Sequence, residues 1–100
     1  MSAYEDDIRQ DARLTILKAL ALQVDERLNS SCLGSELMRF GIDRPREWIH
    51  GELDWLAQMG AVTLAKPGSV VVATLSEKGA RHLRRAVLIE GIKRPSRPGE

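Results

Sequence analysis

The order of segments along this 100-residue chain predicts a mainly α protein with a small β-hairpin. This is the winged helix-turn-helix plan: a three-helix core, a two-stranded wing and a C-terminal helix. Three observations predict it. Three successive stretches repeat apolar residues at i, i+3 or i+4 and i+7, the period of one helical face. After Gly60 the period changes to two, around a Pro67-Gly68 pair. Finally, two short helices meeting at Gly41 and followed by a hairpin are the order in which a winged helix presents its groove-reading helix and its wing.

The first helix is expected over residues 4–24. Ile8, Ala12, Ile16, Leu17, Leu20 and Val24 share one face, and no Gly or Pro interrupts them. Glu5, Asp6 and Asp7 sit in the first turn, where the positive end of the helix dipole favours carboxylates. Residues 25–28 read as a polar connection. Asn29, Ser30 and Ser31 are all N-cap candidates for a second helix over 31–39. Leu33, Leu37 and Phe40 form its apolar face, and Gly41 stops it. Cys32, on this helix, reads as a small, partly buried apolar residue.

Asp43 is the expected N-cap of the third helix, and Pro45 fits its first turn, where a missing N–H costs nothing. At about 100° per residue, Ile49, Leu53 and Leu56 cluster inward, bordered by Trp48, Trp55 and Met59. Arg46, Glu47, His50, Asp54 and Gln58 fall on the wet side. Gly60 ends the helix. Residues 62–66 and 70–75 then read as two strands, β-branched and apolar, with a turn at 66–69 in which Pro67 supplies φ near −65° and Gly68 a positive φ. Ser76 caps a last helix over 77–87, with Ala80, Leu83 and Val87 inward; Gly79 weakens its first turn. From Gly91 the sequence GIKRPSRPGE holds two prolines, two glycines and four charges. It reads as a disordered tail, so the expected division is a winged-helix domain over 1–90 and a basic tail over 91–100.

Composition narrows the function. The chain is 43% hydrophobic and 29% charged, which is ordinary for a globular domain. No apolar run approaches the roughly 20 residues of a membrane span. The acidic N-terminus lacks the basic-then-apolar pattern of a signal peptide, so a cytoplasmic location is expected. One cysteine excludes an internal disulfide and any multi-cysteine metal site. The net charge of +1 hides a polarity. Residues 1–60 carry 7 Lys and Arg against 11 Asp and Glu, a net −4, and residues 61–100 carry 8 against 3, a net +5. A chain polarised in this way can present a basic face to a polyanion.

Nothing in the sequence assembles a catalytic or cofactor site. The only histidines are His50 and His82, neither placed near Cys32 in sequence. Adjacent acids such as Glu52 and Asp54 read as a solvated helix face, and no glycine-rich run has phosphate-binding spacing. The expected chain is non-enzymatic, without cofactor or metal; His82 with a carboxylate from a second subunit is the one metal arrangement left open.

Nucleic-acid binding has more support. Arg44, Arg46, Glu47 and His50 lie at the start and outer side of the third helix, where Arg pairs with guanine or phosphate and a carboxylate finds its groove partner in cytosine N4. Lys66 and Ser69 flank the wing tip, a natural phosphate contact. Arg81, Arg85, Lys93 and Arg94 continue a basic stripe into the tail. One feature points the other way: residues 43–59 hold Arg44 and Arg46 against Asp43, Glu47, Glu52 and Asp54, a net −2, where most groove-reading helices are neutral or basic.

The stretches Glu52-Leu53-Asp54-Trp55-Leu56-Ala57-Gln58-Met59-Gly60-Ala61-Val62 and Ala73-Thr74-Leu75-Ser76-Glu77-Lys78-Gly79 resemble two motifs of small winged-helix regulators of the MarR and ArsR type. One closes the third helix, and the other links the second wing strand to the next helix. With Asp11-Ala12-Arg13-Leu14 early and Gly91-Ile92-Lys93-Arg94-Pro95-Ser96 late, the whole chain is also similar to a group of small proteins of Mu-like phages and prophages. The resemblance implies a double-stranded-DNA-binding fold in transcription regulation and dimerisation through the first and last helices. Leu83, Val87 and Leu88, facing Ile8 and Ala12, would supply that seam. Trp48 and Trp55, seven residues apart, read either as the edge of the core or as a hot spot for a second subunit. The rival reading is a winged helix that binds a protein through its acidic third helix and its tryptophans.

Overall fold

The computed structural model describes residues 3–97. Its elements run α1 (Ala3–Ala21), β1 (Arg27–Asn29), α2 (Ser30–Arg39), α3 (Arg46–Gln58), β2 (Val62–Ala65), β3 (Val72–Leu75) and α4 (Glu77–Leu83). The three strands form one antiparallel sheet in the order β1-β3-β2. Arg27 pairs with Thr74, and Val62 with Leu75. The arrangement is a winged helix: mainly helical, with a small sheet whose β2–β3 hairpin is the wing.

The core lies where the three helices meet the sheet. Leu17 and Leu20 of α1, Leu33 and Leu37 of α2, and Leu53 and Leu56 of α3 are all fully buried. These are the positions the helical spacing marks. At roughly 1.5–3 kcal/mol for each fully buried side chain, they outweigh any single polar contact in the domain.

Several expectations change. The wing's sheet has three strands, not two, because residues 27–29 add an edge strand to β3. The first helix stops at Ala21, not at Val24: the chain turns through 22–26, Glu26 takes φ 58°, and Val24 is fully exposed. Of the three cap candidates, Asn29 caps α2, its side chain accepting the Cys32 N–H at 2.8 Å. Cys32 is exposed rather than partly buried, since Leu33 and Leu37 take the inward positions. The third helix is capped not by Asp43 but by the backbone of Pro45, whose carbonyl accepts from Trp48 and Ile49. Pro45 has extended ψ (162°), so the helix begins one residue after it.

Ser76 caps α4 as expected and does more. Its hydroxyl accepts the Gly79 N–H at 3.0 Å and donates to the Gly60 carbonyl at 2.6 Å, tying the start of α4 to the end of α3. Gly79 is not merely a weak helix residue: a Cβ there would collide with the Ala61 carbonyl, so glycine permits the close packing of α4 on the start of β2.

The last helix is shorter than expected, ending at Leu83 rather than Val87. Arg85 takes φ 62° and turns the chain back. Ile89 and Ile92 then enter the core without a helix. The segment expected as a free tail packs against the body as far as it is described. The Lys93 N–H donates to the Gln10 carbonyl at 3.2 Å, and the Arg13 Nη1 donates to the Gly91 carbonyl at 2.8 Å. Residues 98–100 lie outside the described residues.

Candidate nucleic-acid interface

The outward face of α3 and the wing tip lie side by side, joined by two contacts. Arg46, the first residue of α3, sends its Nη2 to the Ser69 carbonyl at 2.6 Å. Lys66, just beyond β2, places its Nζ 3.3 Å from Asp54 Oδ1. The helix period aims Arg46 and Asp54 outward, and the Pro67-Gly68 turn, with Gly68 at φ 61°, brings the wing tip back beside them. Glu47 is exposed on the same side.

Electrostatically the three cations differ. Arg44, half-buried ahead of α3, is 3.1 Å from Glu5 Oε1 on α1 and lies 5.5 Å over the Trp48 ring. Lys66 faces Asp54. Arg46 donates to a neutral carbonyl and has no carboxylate partner among the described residues. The Lys66–Asp54 pair is more than half exposed on both sides, and such pairs contribute little, about 0–1 kcal/mol. A phosphate can therefore replace the carboxylate at small cost. His50 is less available: it is half-buried, with Nε2 hydrogen-bonded to Ser30 Oγ at 3.0 Å.

The other basic residues expected at the interface lie on α4 and the C-terminal segment. Arg81 is exposed on α4. Arg85 donates to the Pro95 carbonyl. Lys93 pairs with Asp11 at 3.0 Å, and Arg94 borders a cleft beside α1. These last three belong to the C-terminal segment and its contact with α1, not to the wing. The sequence reading missed Lys78, whose Nζ donates to the Met59 carbonyl at 2.9 Å at the C-terminal end of α3. A cation at a helix C-terminus complements the dipole. The signal was its position after a cap serine in the stretch Ser76-Glu77-Lys78-Gly79.

The residues offered as a subunit interface are also placed. Trp55 is half-buried beneath the Arg13 guanidinium, which lies 3.8 Å from its ring centroid. Gly91 rests against the same ring: at φ 94°, a Cβ there would lie 2.6 Å from Trp55 Cζ2. Trp48 packs at the edge of the core, its indole N–H buried without a hydrogen-bond partner among the described residues. Leu83 and Val87 are half-buried against the core, and Leu88 is 57% exposed. Ala12, expected on the seam, is fully buried and cannot reach a partner.

Two acid–base expectations are corrected. Glu52 is not on a solvated face. It is 6% exposed and accepts from Arg13 Nε at 2.6 Å, because it lies one helical turn from Ile49 and Leu56 on the side facing α1. His82 is no metal ligand. It is fully buried, its Nδ1 accepting the Ile89 N–H at 3.1 Å and its Nε2 lying 3.0 Å from the Lys93 carbonyl. Both bonds are satisfied by the neutral tautomer protonated at Nε2, which leaves no lone pair for a metal. Among the described residues, no group of three or more His, Cys, Asp or Glu side chains is placed to hold a metal ion. No described helix is long and apolar enough to cross a membrane.

No known family profile matches the chain. In fold it is similar to the solved structure of Sco5413, a MarR family transcriptional regulator from Streptomyces coelicolor, with a TM-score of 0.63 and 24% identity over 75% of this chain. The chain spans about half (49%) of that longer protein, so the likeness covers the winged helix and leaves the rest of the regulator unmatched. In sequence it is 31% identical over 90 residues to the uncharacterized protein gp26 of Escherichia phage Mu, covering 90% of this chain and 93% of gp26. At that identity and coverage, the chain belongs to the phage Mu gp26 family.

Proposed function

We propose that the chain is a non-enzymatic, cytoplasmic winged-helix regulator of a phage or prophage that binds double-stranded DNA through α3 and the wing. The observation that carries this reading is the Arg46–Ser69 contact, which joins helix and wing into one surface bearing a guanidinium with no carboxylate partner among the described residues. In the proposed mode α3 enters the major groove. Arg46 reads a guanine or holds a phosphate, and Glu47 favours cytosine N4 over other groove edges. Lys66 exchanges Asp54 for a backbone phosphate. Arg81, on α4, adds long-range attraction rather than base readout. A two-fold pairing through Leu83, Val87 and the exposed Leu88 is the dimer this reading carries.

Fluorescence anisotropy with mixed-sequence duplex DNA at two salt concentrations tests the proposal. The expected result is micromolar binding at low salt that weakens as salt rises, with a slope of a few phosphate contacts. Absence of binding at low salt overturns it.

One observation favours a second reading, a protein-binding module. Of the three cations at the α3–wing face, Glu5 and Asp54 already neutralise Arg44 and Lys66. NMR shift changes on adding duplex DNA separate the two readings. Under the first they centre on residues 44–50 and 66–69. Silence there, with shifts near Trp48 and Trp55 that depend on protein concentration, supports the second.

A further inference from the structure

Away from α3 and the wing, an open trough of about 550 Å³ runs along α1. Its floor is the outward row Ile8, Asp11, Thr15, Lys18 and Leu22, at successive helical turns. One wall is the end of α2 and the turn after it, with Phe40 and Ile42; the other is the C-terminal segment, with Arg94. Leu22 and Phe40 on the rim are 82% and 67% exposed. They are large apolar side chains that this fold leaves in water along one trough.

The charges of the trough are unbalanced. Four cations line it, with two carboxylates. Lys93 is held by Asp11 at 3.0 Å and Arg39 by Glu36 at 3.1 Å. Lys18 and Arg94 have no carboxylate within ion-pair distance among the described residues, which leaves two positive charges beside the apolar side chains of Ile8, Leu22 and Phe40. From Ile8 to Leu22 the floor is about 21 Å long at 1.5 Å per residue. Small-molecule sites enclose most of their ligand, whereas Leu22 and Phe40, two of the large apolar side chains lining this trough, stay mostly exposed. An amphipathic helix laid in a groove matches that shape.

We propose that this trough docks an acidic amphipathic helix of a partner protein. The apolar stripe of that helix packs on Ile8, Leu22 and Phe40, and its flanking carboxylates meet Lys18 and Arg94. Because no residue of α3 or the wing lines the trough, its occupation leaves the α3–wing face free. The proposal does not rest on DNA binding.

The test is an NMR titration of the full chain with a 15-residue amphipathic peptide carrying Leu at i, i+4, i+7 and i+11 and Glu beside them, and with its twin carrying Lys in place of Glu. The expected result is shift changes at Lys18, Leu22, Phe40 and Arg94, with the Glu peptide binding about tenfold or more tightly than the Lys twin. Phe40→Ala, and separately the pair Lys18→Glu with Arg94→Glu, each lower Glu-peptide affinity by about tenfold. All three side chains are exposed, and circular dichroism with thermal unfolding checks that the variants keep the fold. The proposal is overturned by equal binding of the two peptides, by no shifts up to millimolar peptide, or by shifts centred elsewhere. It is also overturned if the same residues shift with protein concentration alone, which makes a second copy the occupant. Saturation by decanoate at lower concentration than the peptide makes the site one for small amphiphiles, and overturns it too.

Discussion

Arg46 Nη2 lies 2.6 Å from the Ser69 carbonyl, so the first residue of α3 and the tip of the wing are held together by a contact bridging 23 residues of chain. Arg46→Ala removes both that tether and, of Arg44, Arg46 and Lys66, the cation that has no carboxylate partner among the described residues. The contact is exposed, so unfolding free energy should fall by no more than about 1 kcal/mol. Amide exchange at residues 66–69 should accelerate clearly. If the arginine also reads a base, duplex affinity falls by about 1–3 kcal/mol. A wing as protected in the variant as in the parent sinks the tether.

Asp54→Asn should strengthen duplex binding. The substitution removes a negative charge from the α3 surface and releases Lys66, 3.3 Å away, for a phosphate. Because Lys66 already exchanges the carboxylate for a phosphate in the proposed mode, it is Lys66→Ala that should remove one phosphate contact and flatten the dependence of log K on log salt by about 0.9. Anisotropy at 50 and 200 mM salt reads this directly, and an unchanged slope excludes Lys66 from the interface.

Glu52 and Arg13 form a buried pair, their side chains 8% and 11% exposed and 2.6 Å apart. Glu52→Ala leaves the guanidinium uncompensated between α1 and α3 and should cost about 3 kcal/mol, the lower end of the range for breaking such pairs. Replacing both residues by Met should recover most of that loss, because apolar pairs of similar volume are often neutral substitutes. Urea unfolding of the three proteins decides it. A double variant no better than the single would mean that Arg13 matters chiefly through Trp55 and the Gly91 carbonyl.

His82 holds the C-terminal segment through two bonds, to Ile89 and to Lys93. His82→Ala opens a cavity and strands the buried Ile89 N–H, a loss of about 2–4 kcal/mol. The Ile89 amide should change from protected to fast-exchanging, with residues 91–95 loosening around it. Protection at Ile89 equal to the parent's counts against the histidine as the anchor.

Much of this architecture is legible in the sequence, for identifiable reasons. The cores of α1, α2 and α3 follow from apolar spacing, and Gly41, Gly60 and Gly68 all adopt the positive φ their positions require. The edge strand is not legible, because Arg27-Leu28-Asn29 carries one apolar residue and no alternation. Its extended form comes from pairing with β3. The end of α4 misleads for a related reason. Val87-Leu88-Ile89 looks like an overlong apolar helix face, but Ile89 is buried by a chain reversal at Arg85 that no local pattern announces. At the candidate site, the sequence identifies which residues are cationic but not which already have acidic partners. Glu5 lies 39 residues from Arg44 in sequence, and only the fold brings them together.

The strand order gives β3 a temporal role as well as a spatial one. It is the central strand, yet the last to appear in the sequence. Its partner β1 lies on the far side of two helices, with Asn29 opposite Val72. A chain emerging from the ribosome can form α1, α2 and α3 early, but residues 27–29 have no strand to join until Leu75 has been made. Closing such a distant pairing is slow relative to local helix formation. Folding of this domain should thus be gated by the late arrival of β3. Substitutions that stiffen the 66–69 turn should speed the closure of β2 on β3 without supplying β1 its partner any sooner.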